Sequence, residues 1–382
     1  MNDTPPTTPI KHAGNTPYRL LDAWRGVAAL WVVMLHIRLY DTPTSLFIFS
    51  AGGHLGVPMF FIISGYCIAN AATRSLSKPQ PVLAFCKARL RRIYPPYLFA
   101  SLLAAALSIF LTFLIRHHIV QASQIADLHL FSQGWRFYLG ALTFTQMELR
   151  TGLVIAVFWS LCYEVLFYEL VAVILACALW AKKPAWILDA LNVLTISSLI
   201  WLDLAGDHCP FPWNLWPQFG LGALVYQILS QPKRKLPRLV FALCSAFVMI
   251  YAYRFGTGNF SDGITNGFQA FFYLGFAIVL LALFRWDDQL SKLRITRVFA
   301  WVGMFSYSLY LIHLLALGIV TQGINRIHFI GNQPLLFYLV KFALCIAVGR
   351  LFFHFCERPF IDTRQRQARQ EAERKNLEPI AF

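Results

Sequence analysis

The sequence predicts an all-α, polytopic integral membrane protein, a helical bundle with about ten transmembrane helices. Three observations predict it. Of the 382 residues, 58% are hydrophobic and only 13% are charged, and the mean hydropathy is +0.56. A soluble domain must show water a polar outside and cannot hide that much apolar surface. Long apolar runs recur along the whole chain. Lipid offers backbone groups no hydrogen-bond partners, so each run has to be a helix. Lysine and arginine are distributed unevenly between the two sides of those runs, as the positive-inside rule describes.

Ten runs are predicted to span, at 20–40, 54–72, 96–116, 154–180, 185–204, 214–230, 239–253, 268–285, 298–320 and 334–356. With the N-terminus inside, the inner segments and span edges hold 25 Lys and Arg residues, the outer ones hold six, and Lys341 and Arg350 fall within the last span. That bias predicts a multi-pass protein with both termini in the cytoplasm. Residues 1–18 form a polar, Pro- and Thr-rich cytoplasmic segment, with no cleavable signal peptide expected before the first span. Residues 19–362 hold the membrane domain. Residues 363–382 are a mixed-charge cytoplasmic tail, expected to be a solvated helix or disordered. The aromatic-rich outer stretch 117–150 is expected to lie at the interface without crossing.

The net charge of +15 would suggest nucleic acid in a soluble protein. Here inward-facing basic loops account for it, and no nucleic-acid partner is expected. None of the eight cysteines forms a C-x-x-C pair, and most lie in apolar runs. They read as small core residues, with neither a metal site nor a disulfide framework.

The polar residues inside the apolar runs carry the functional question, because ionisable groups in a membrane are costly unless paired or working. In LDAWRGVAALWVVMLHI (21–37), Arg25 and His36 lie eleven residues apart, with Asp22 just before Arg25. Eleven residues make about three turns, so the two share a face, separated by roughly 16 Å along the axis. Arg25 falls near the inner edge and His36 in the outer half. Either they are a snorkelling arginine and a satisfied core histidine, or they are a cation and a base on one line. VFWSLCYEVLFYEL (157–170) carries Glu164 and Glu169. Five residues is roughly 140° beyond a turn, so they cannot share a face. Glu164 falls at a depth comparable with His36, where a carboxylate would orient an imidazole and stabilise its charged form; a structural carboxylate is the alternative. The inner loop KARLRRIYPPY (87–97) crowds Arg89, Arg91 and Arg92 against Pro95, Pro96 and Tyr97. The prolines would set the start of the third span, and the arginines would either grip phosphates or only determine topology. His54, Ser64-Gly65, Ser306, Tyr307 and His313 complete the polar set. Gly65 suits close helix packing.

Taken together, these residues resemble membrane acyltransferase family 3, the bacterial integral-membrane O-acyltransferases of surface polysaccharides and other glycans. Arg25 and His36, with ten residues between, match that family's first-helix pair. GVPMFFIISGY (56–66) is similar to its second-helix motif, ARLRRIYPPY to its basic loop, and FWSLCYEVLFY to its Trp-Ser-Leu-Glu motif. FSYSLYLIH (305–313) and CERPF (356–360) match its closing motifs. The resemblance spans about residues 18–362. Val165 stands where the family often has a second acid, so only Glu164 carries over. The proline common after the ninth-span histidine is absent after His313.

The resemblance implies an O-acetyltransferase of the bacterial cytoplasmic (inner) membrane. It would move an acyl group, acetyl by default, from cytoplasmic acyl-CoA to a hydroxyl of an extracytoplasmic or lipid-linked glycan. Acetyl-CoA would be a donor substrate, with no permanently bound cofactor and no metal. Catalytic roles would fall to His36, either as general base, the preferred role, or as a nucleophile that briefly carries the acyl group, to Glu164 as the group orienting it, and to Arg25. Arg89, Arg91, Arg92 and Tyr97 would bind the donor. Asp22, Ser64, Trp159, Ser160, Tyr307 and His313 would support them. Transfer would be completed within this domain or handed to a separate extracytoplasmic partner. Two other classes of function stay open: a proton-coupled transporter, against which the lack of repeat halves counts, and an assembly scaffold, which would not need the buried polar set.

Overall fold

The computed structural model describes residues 18–37, 44–118, 130, 133–256, 267–324 and 334–361. The expectations for 1–17, for the tail from 362 onward and for most of 119–132 lie outside the described residues. The rest is helical: α1 (Leu20–Ile37), α2 (Thr44–Ala51), α3 (Gly56–Ser75), α4 (Pro81–Arg116), α5 (Trp135–Thr143), α6 (Gln146–Leu149), α7 (Trp159–Trp180), α8 (Trp186–Ala205), α9 (Trp216–Ser230), α10 (Leu236–Phe255), α11 (Gly267–Leu283), α12 (Asp287–Leu290), α13 (Arg294–Met304), α14 (Ser306–Ile324) and α15 (Pro334–Phe352). Among the described residues, eight helical stretches are long and apolar enough to cross a membrane. The all-α polytopic bundle is therefore as expected.

Two of the ten expected spans differ in kind. The stretch at 298–320 is broken: α13 and α14 meet at Phe305 with a 70° bend. Gly303 presses α13 onto the backbone of Asp22, and Ser306 Oγ donates to Gly303 O at 2.9 Å, so the end of α13 is closed and α14 leaves in a new direction. The stretch at 214–230 yields α9, of 15 residues, about 22 Å long. It is almost wholly buried, so its apolar sequence reflects a central position in the bundle. Asn192 of α8 and Gln227 of α9 exchange amide hydrogen bonds at 2.8 and 3.0 Å, a polar tie of the kind that holds helices where lipid gives no hydrophobic drive.

The basic stretch 87–97 is not a loop. It lies within α4, a single 36-residue helix that carries Pro95 and Pro96 in its interior. Neither proline can donate, so the carbonyls four residues back lose their helical partners. Those carbonyls belong to Arg91 and Arg92. Neighbouring helices can hold such a helix together, and Tyr307 OH of α14 pins the same turn by donating to the next carbonyl, Ile93 O, at 3.0 Å. In the stretch 133–150, α5 and α6, of nine and four residues, are too short to cross a membrane. At the other end, the Asp287 carboxylate accepts from the backbone N–H groups of Arg19 and Leu20 at 3.0 and 2.9 Å. It thus satisfies donors that the start of α1 would otherwise leave open.

Helices α3 and α9 cross backbone to backbone. A Cβ at Gly65 would run into Phe219 O, and one at Gly222 into Ile62 O. Gly65→Ala and Gly222→Ala are each expected to destabilise the protein by about 1–3 kcal/mol, the usual cost of overpacking. Gly275→Ala, where nothing lies within 4 Å, should be neutral. Thermal unfolding in detergent checks this; equal melting of all three variants would show that the crossing yields at no cost.

Candidate active site

Arg25 stands one turn into α1 and is 9% exposed. Asp22, three residues earlier, is an ion-pair partner at 3.5 Å. Arg89 and Arg92 are spaced i,i+3 on α4 and so lie on one face of it. Both are half-buried, while Arg91 is exposed. The three inward-facing arginines come together: Arg25, Arg89, Arg92, Ser64, Glu164 and Tyr168 line one cavity of about 730 Å³, its open mouth included. Ser160, Ser306, Tyr307 and Tyr310 line it as well. One residue from the first helix and a pair from α4 thus build a single cationic wall, with a carboxylate facing it.

Glu164 does not take the place expected for it. Its Oε1 accepts hydrogen bonds from Ser64 Oγ at 3.0 Å and from Tyr168 OH, one turn further along α7. The Arg89 guanidinium lies 5.9 Å from the centre of the Tyr168 ring, and Arg92 and Glu164 line the same cavity. The carboxylate therefore belongs to the arginine cavity. Helix α7 meets α3 and α4 here, so Glu164 is held among their polar groups and not beside the first helix's histidine.

The imidazole next to His36 is that of His313. His313 Nε2 lies 3.3 Å from His36 Nδ1, and the ring centres are 4.9 Å apart. His36 Nδ1 also lies 2.9 Å from Val32 O. His313 is fully buried, with Nδ1 at 2.8 Å from Tyr310 O and 3.2 Å from Leu309 O. His36 is exposed near the end of α1. Neither histidine lines the arginine cavity. Tyr310 connects the two places. It lines the cavity, its ring centre is 5.9 Å from that of His313, and its hydroxyl is 2.7 Å from Ser160 Oγ.

The remaining expected residues divide. Ser64, Ser160 and Tyr307 reach the cavity. Tyr97 does not: it is packed against Phe144 and Phe158 and its hydroxyl donates to Ala141 O at 2.7 Å. Arg91 points away from the cavity because it sits between the two facing positions of α4. Trp159 packs edge-on against Phe61 and Tyr163, and His54 Nδ1 lies 2.9 Å from Ala51 O. Glu169 is exposed, on another face of α7 from Glu164, as the five-residue spacing requires. Three residues were not foreseen. Tyr168 sits four residues after Glu164, a spacing that puts it on the same face. Tyr310 precedes His313 by three. Glu357, in the π-helical turn Phe353–Glu357 that ends α15, is 3% exposed and accepts from Ser308 Oγ at 2.6 Å. Its signal was the acid in CERPF. Among the described residues, no group of three or more His, Cys, Asp or Glu side chains is arranged to hold a metal ion.

The chain matches a family described as an acyltransferase domain over residues 18–354. It is 25% identical over 364 residues to the O-acetyltransferase OatA of Staphylococcus aureus (strain NCTC 8325 / PS 47), covering 89% of this chain and 56% of that protein. The OatA of Staphylococcus aureus (strain COL) matches to the same extent. The chain thus spans just over half the length of these relatives. No solved structure matches it. Over nearly all of its helical bundle, including every residue of the cavity and both histidines, the chain belongs to the membrane acyltransferase family 3 domain.

Proposed function

We propose that the protein is a membrane O-acyltransferase that moves an acyl group, acetyl in the first instance, from cytoplasmic acyl-CoA to a hydroxyl of an extracytoplasmic or lipid-linked glycan. The observation that carries this reading is the convergence of Arg25, Arg89 and Arg92 on one cavity. A polyanionic donor such as acetyl-CoA needs that kind of wall. Guanidinium groups bind phosphates by paired, charge-assisted hydrogen bonds. Glu164, facing the same wall, offsets part of its charge and holds Ser64 and Tyr168 in place.

The first helix supplies the direction. Arg25 and His36 lie roughly 16 Å apart along its axis, a span that an extended pantetheine arm covers. A donor held by its phosphates in the cavity can present its thioester toward Tyr310 and the histidine pair beyond. There His36 takes the proton of the acceptor hydroxyl as that oxygen attacks the thioester carbonyl. The carbon–sulfur bond breaks and CoA leaves as its thiolate. His36 is exposed near the end of α1, which suits a base that meets a glycan arriving from the outer face. Acyl transfer finishes within this domain or passes to a separate extracytoplasmic partner.

Purified protein in proteoliposomes, given labelled acetyl-CoA and a glycan acceptor, tests the reading. His36→Ala should lower transfer by roughly 10²–10⁴-fold, the usual worth of a general base, with folding and insertion intact. Full activity in a folded His36→Ala protein would sink the base assignment. Substrate flux without acylation would favour a proton-coupled transporter.

The donor side has its own test. Arg89→Gln and Arg92→Gln should each raise the KM for acetyl-CoA by about tenfold or more, the loss of one charge-assisted hydrogen bond. Lysine should recover only part of it. Arg91→Gln, on the exposed side of α4, should leave donor kinetics unchanged.

The orientation is tested at the loop between α8 and α9. Cys209 is buried, so the neighbouring exposed His208 is the better probe. In a variant without reactive native thiols, His208→Cys should react with an impermeant thiol reagent in intact spheroplasts, and Lys182→Cys only after the membrane is opened. The reverse pattern would exchange the donor and acceptor sides.

A further inference from the structure

His36 has two ring nitrogens, and the contacts of its Nδ1 bear on which of them acts as a base. A carbonyl oxygen only accepts. With Val32 O at 2.9 Å, His36 Nδ1 carries the ring proton. The same argument applies to His313, whose Nδ1 faces the carbonyls of Tyr310 and Leu309 at 2.8 and 3.2 Å. A neutral imidazole with its proton on Nδ1 has its lone pair on Nε2. His313 Nε2 is therefore an acceptor, and it lies 3.3 Å from His36 Nδ1. The opposite assignment fails at both ends. A proton on His313 Nε2 would point at the proton on His36 Nδ1. A charged imidazolium at this fully buried position would carry a large desolvation cost.

We propose that His313 is the positioning residue of the His36 base: its Nε2 shares the His36 Nδ1 proton with Val32 O and so fixes His36 Nε2 as the nitrogen that takes the acceptor's proton. The proposal rests on the acyl-transfer reading for what that nitrogen does, and on geometry alone for which nitrogen it is. As His36 Nε2 gains its proton, positive charge spreads over the ring. The Nδ1–H then donates more strongly to two acceptors that are already in place, so no group has to reorient. A carboxylate does this in a hydrolase triad. Here a neutral imidazole does it, which avoids setting an anion deep in the bundle and leaves Glu164 to the donor cavity. Helix α14 fixes the spacing. Tyr310, whose carbonyl holds His313, also lines the cavity, so the cavity wall and the residue that positions the base share one turn of α14.

Two measurements test this, one of them independent of activity. In protein carrying ¹⁵N-labelled histidine, the resonances assigned by their loss in His36→Ala should show His36 with its proton on Nδ1. His313→Phe should shift them toward a mixture of tautomers. A wild-type His36 with its proton on Nε2 would overturn the proposal, whether or not the protein transfers acyl groups. In the proteoliposome assay, His313→Phe should lower kcat about tenfold or more with the KM for acetyl-CoA unchanged. His313→Gln should recover most of it, because its amide oxygen can take the place of Nε2. Adding His313→Phe to a His36→Ala background should cost nothing further. A folded His313→Phe protein with wild-type kcat, or a loss that tracks melting temperature and is not rescued by Gln, would reduce His313 to a packing residue. Absence of acyl transfer in the wild type would instead remove the catalytic reading and leave the tautomer result standing.

Discussion

The contact on which the rest depends is the one between the backbones of α1 and α13. At Gly26 a Cβ would collide with Phe299 O, and at Gly303 with Asp22 O. Small residues let helices approach to this distance, and nothing larger would fit. Arg25 is the immediate neighbour of Gly26, so the same contact that seats α1 determines where its buried guanidinium sits. Gly303 lies just before the bend at Phe305, and from that bend α14 sets out toward the C-terminal end of α1. One close crossing therefore positions both the cation of the cavity and the helix that brings His313 to His36.

From this crossing the polar groups separate into two sets with different electrostatic characters. The cavity gathers three guanidiniums against one carboxylate and is left with an excess of positive charge, which suits a site for a polyanion. The histidine pair meets the backbone carbonyls of Val32, Leu309 and Tyr310. Keeping the sets apart serves both. A histidine among the arginines would be held deprotonated by repulsion. The first two turns of α14, Ser306 to His313, join them, with Ser306, Tyr307 and Tyr310 on the cavity and His313 beyond.

The helix carrying Arg89 and Arg92 shows how a local rule can be overridden. Two consecutive prolines usually end a helix or open one. In α4 they do neither. The helix continues through them with its flanks packed against α7 and α14, and a hydroxyl from Tyr307 ties Ile93, near the prolines, to α14. Continuity matters for the site. Only in a regular helix do positions 89 and 92 share a face while 91 turns away.

The apolar runs, their helical state and the membrane class were legible in the sequence, because each follows from composition and from the local requirement that buried backbone be bonded within its own segment. Spacing along one helix was legible for the same reason: it put Arg25 and His36 on one face and kept Glu164 and Glu169 apart. Family membership was legible too, because motifs such as RGVAALWVVMLH and SYSLYLIH survive as short strings. What meets what across the bundle was not. Ser64 and Glu164 are 100 residues apart in sequence, and His36 and His313 are 277 apart; no periodicity within either helix encodes such a pairing. Depth alone suggested Glu164 as the neighbour of His36, yet two residues at one depth can still lie on the far sides of different helices. Only the packed structure, through the glycine crossings and the bend at Phe305, decided that the carboxylate goes to the arginines and a second imidazole to the first.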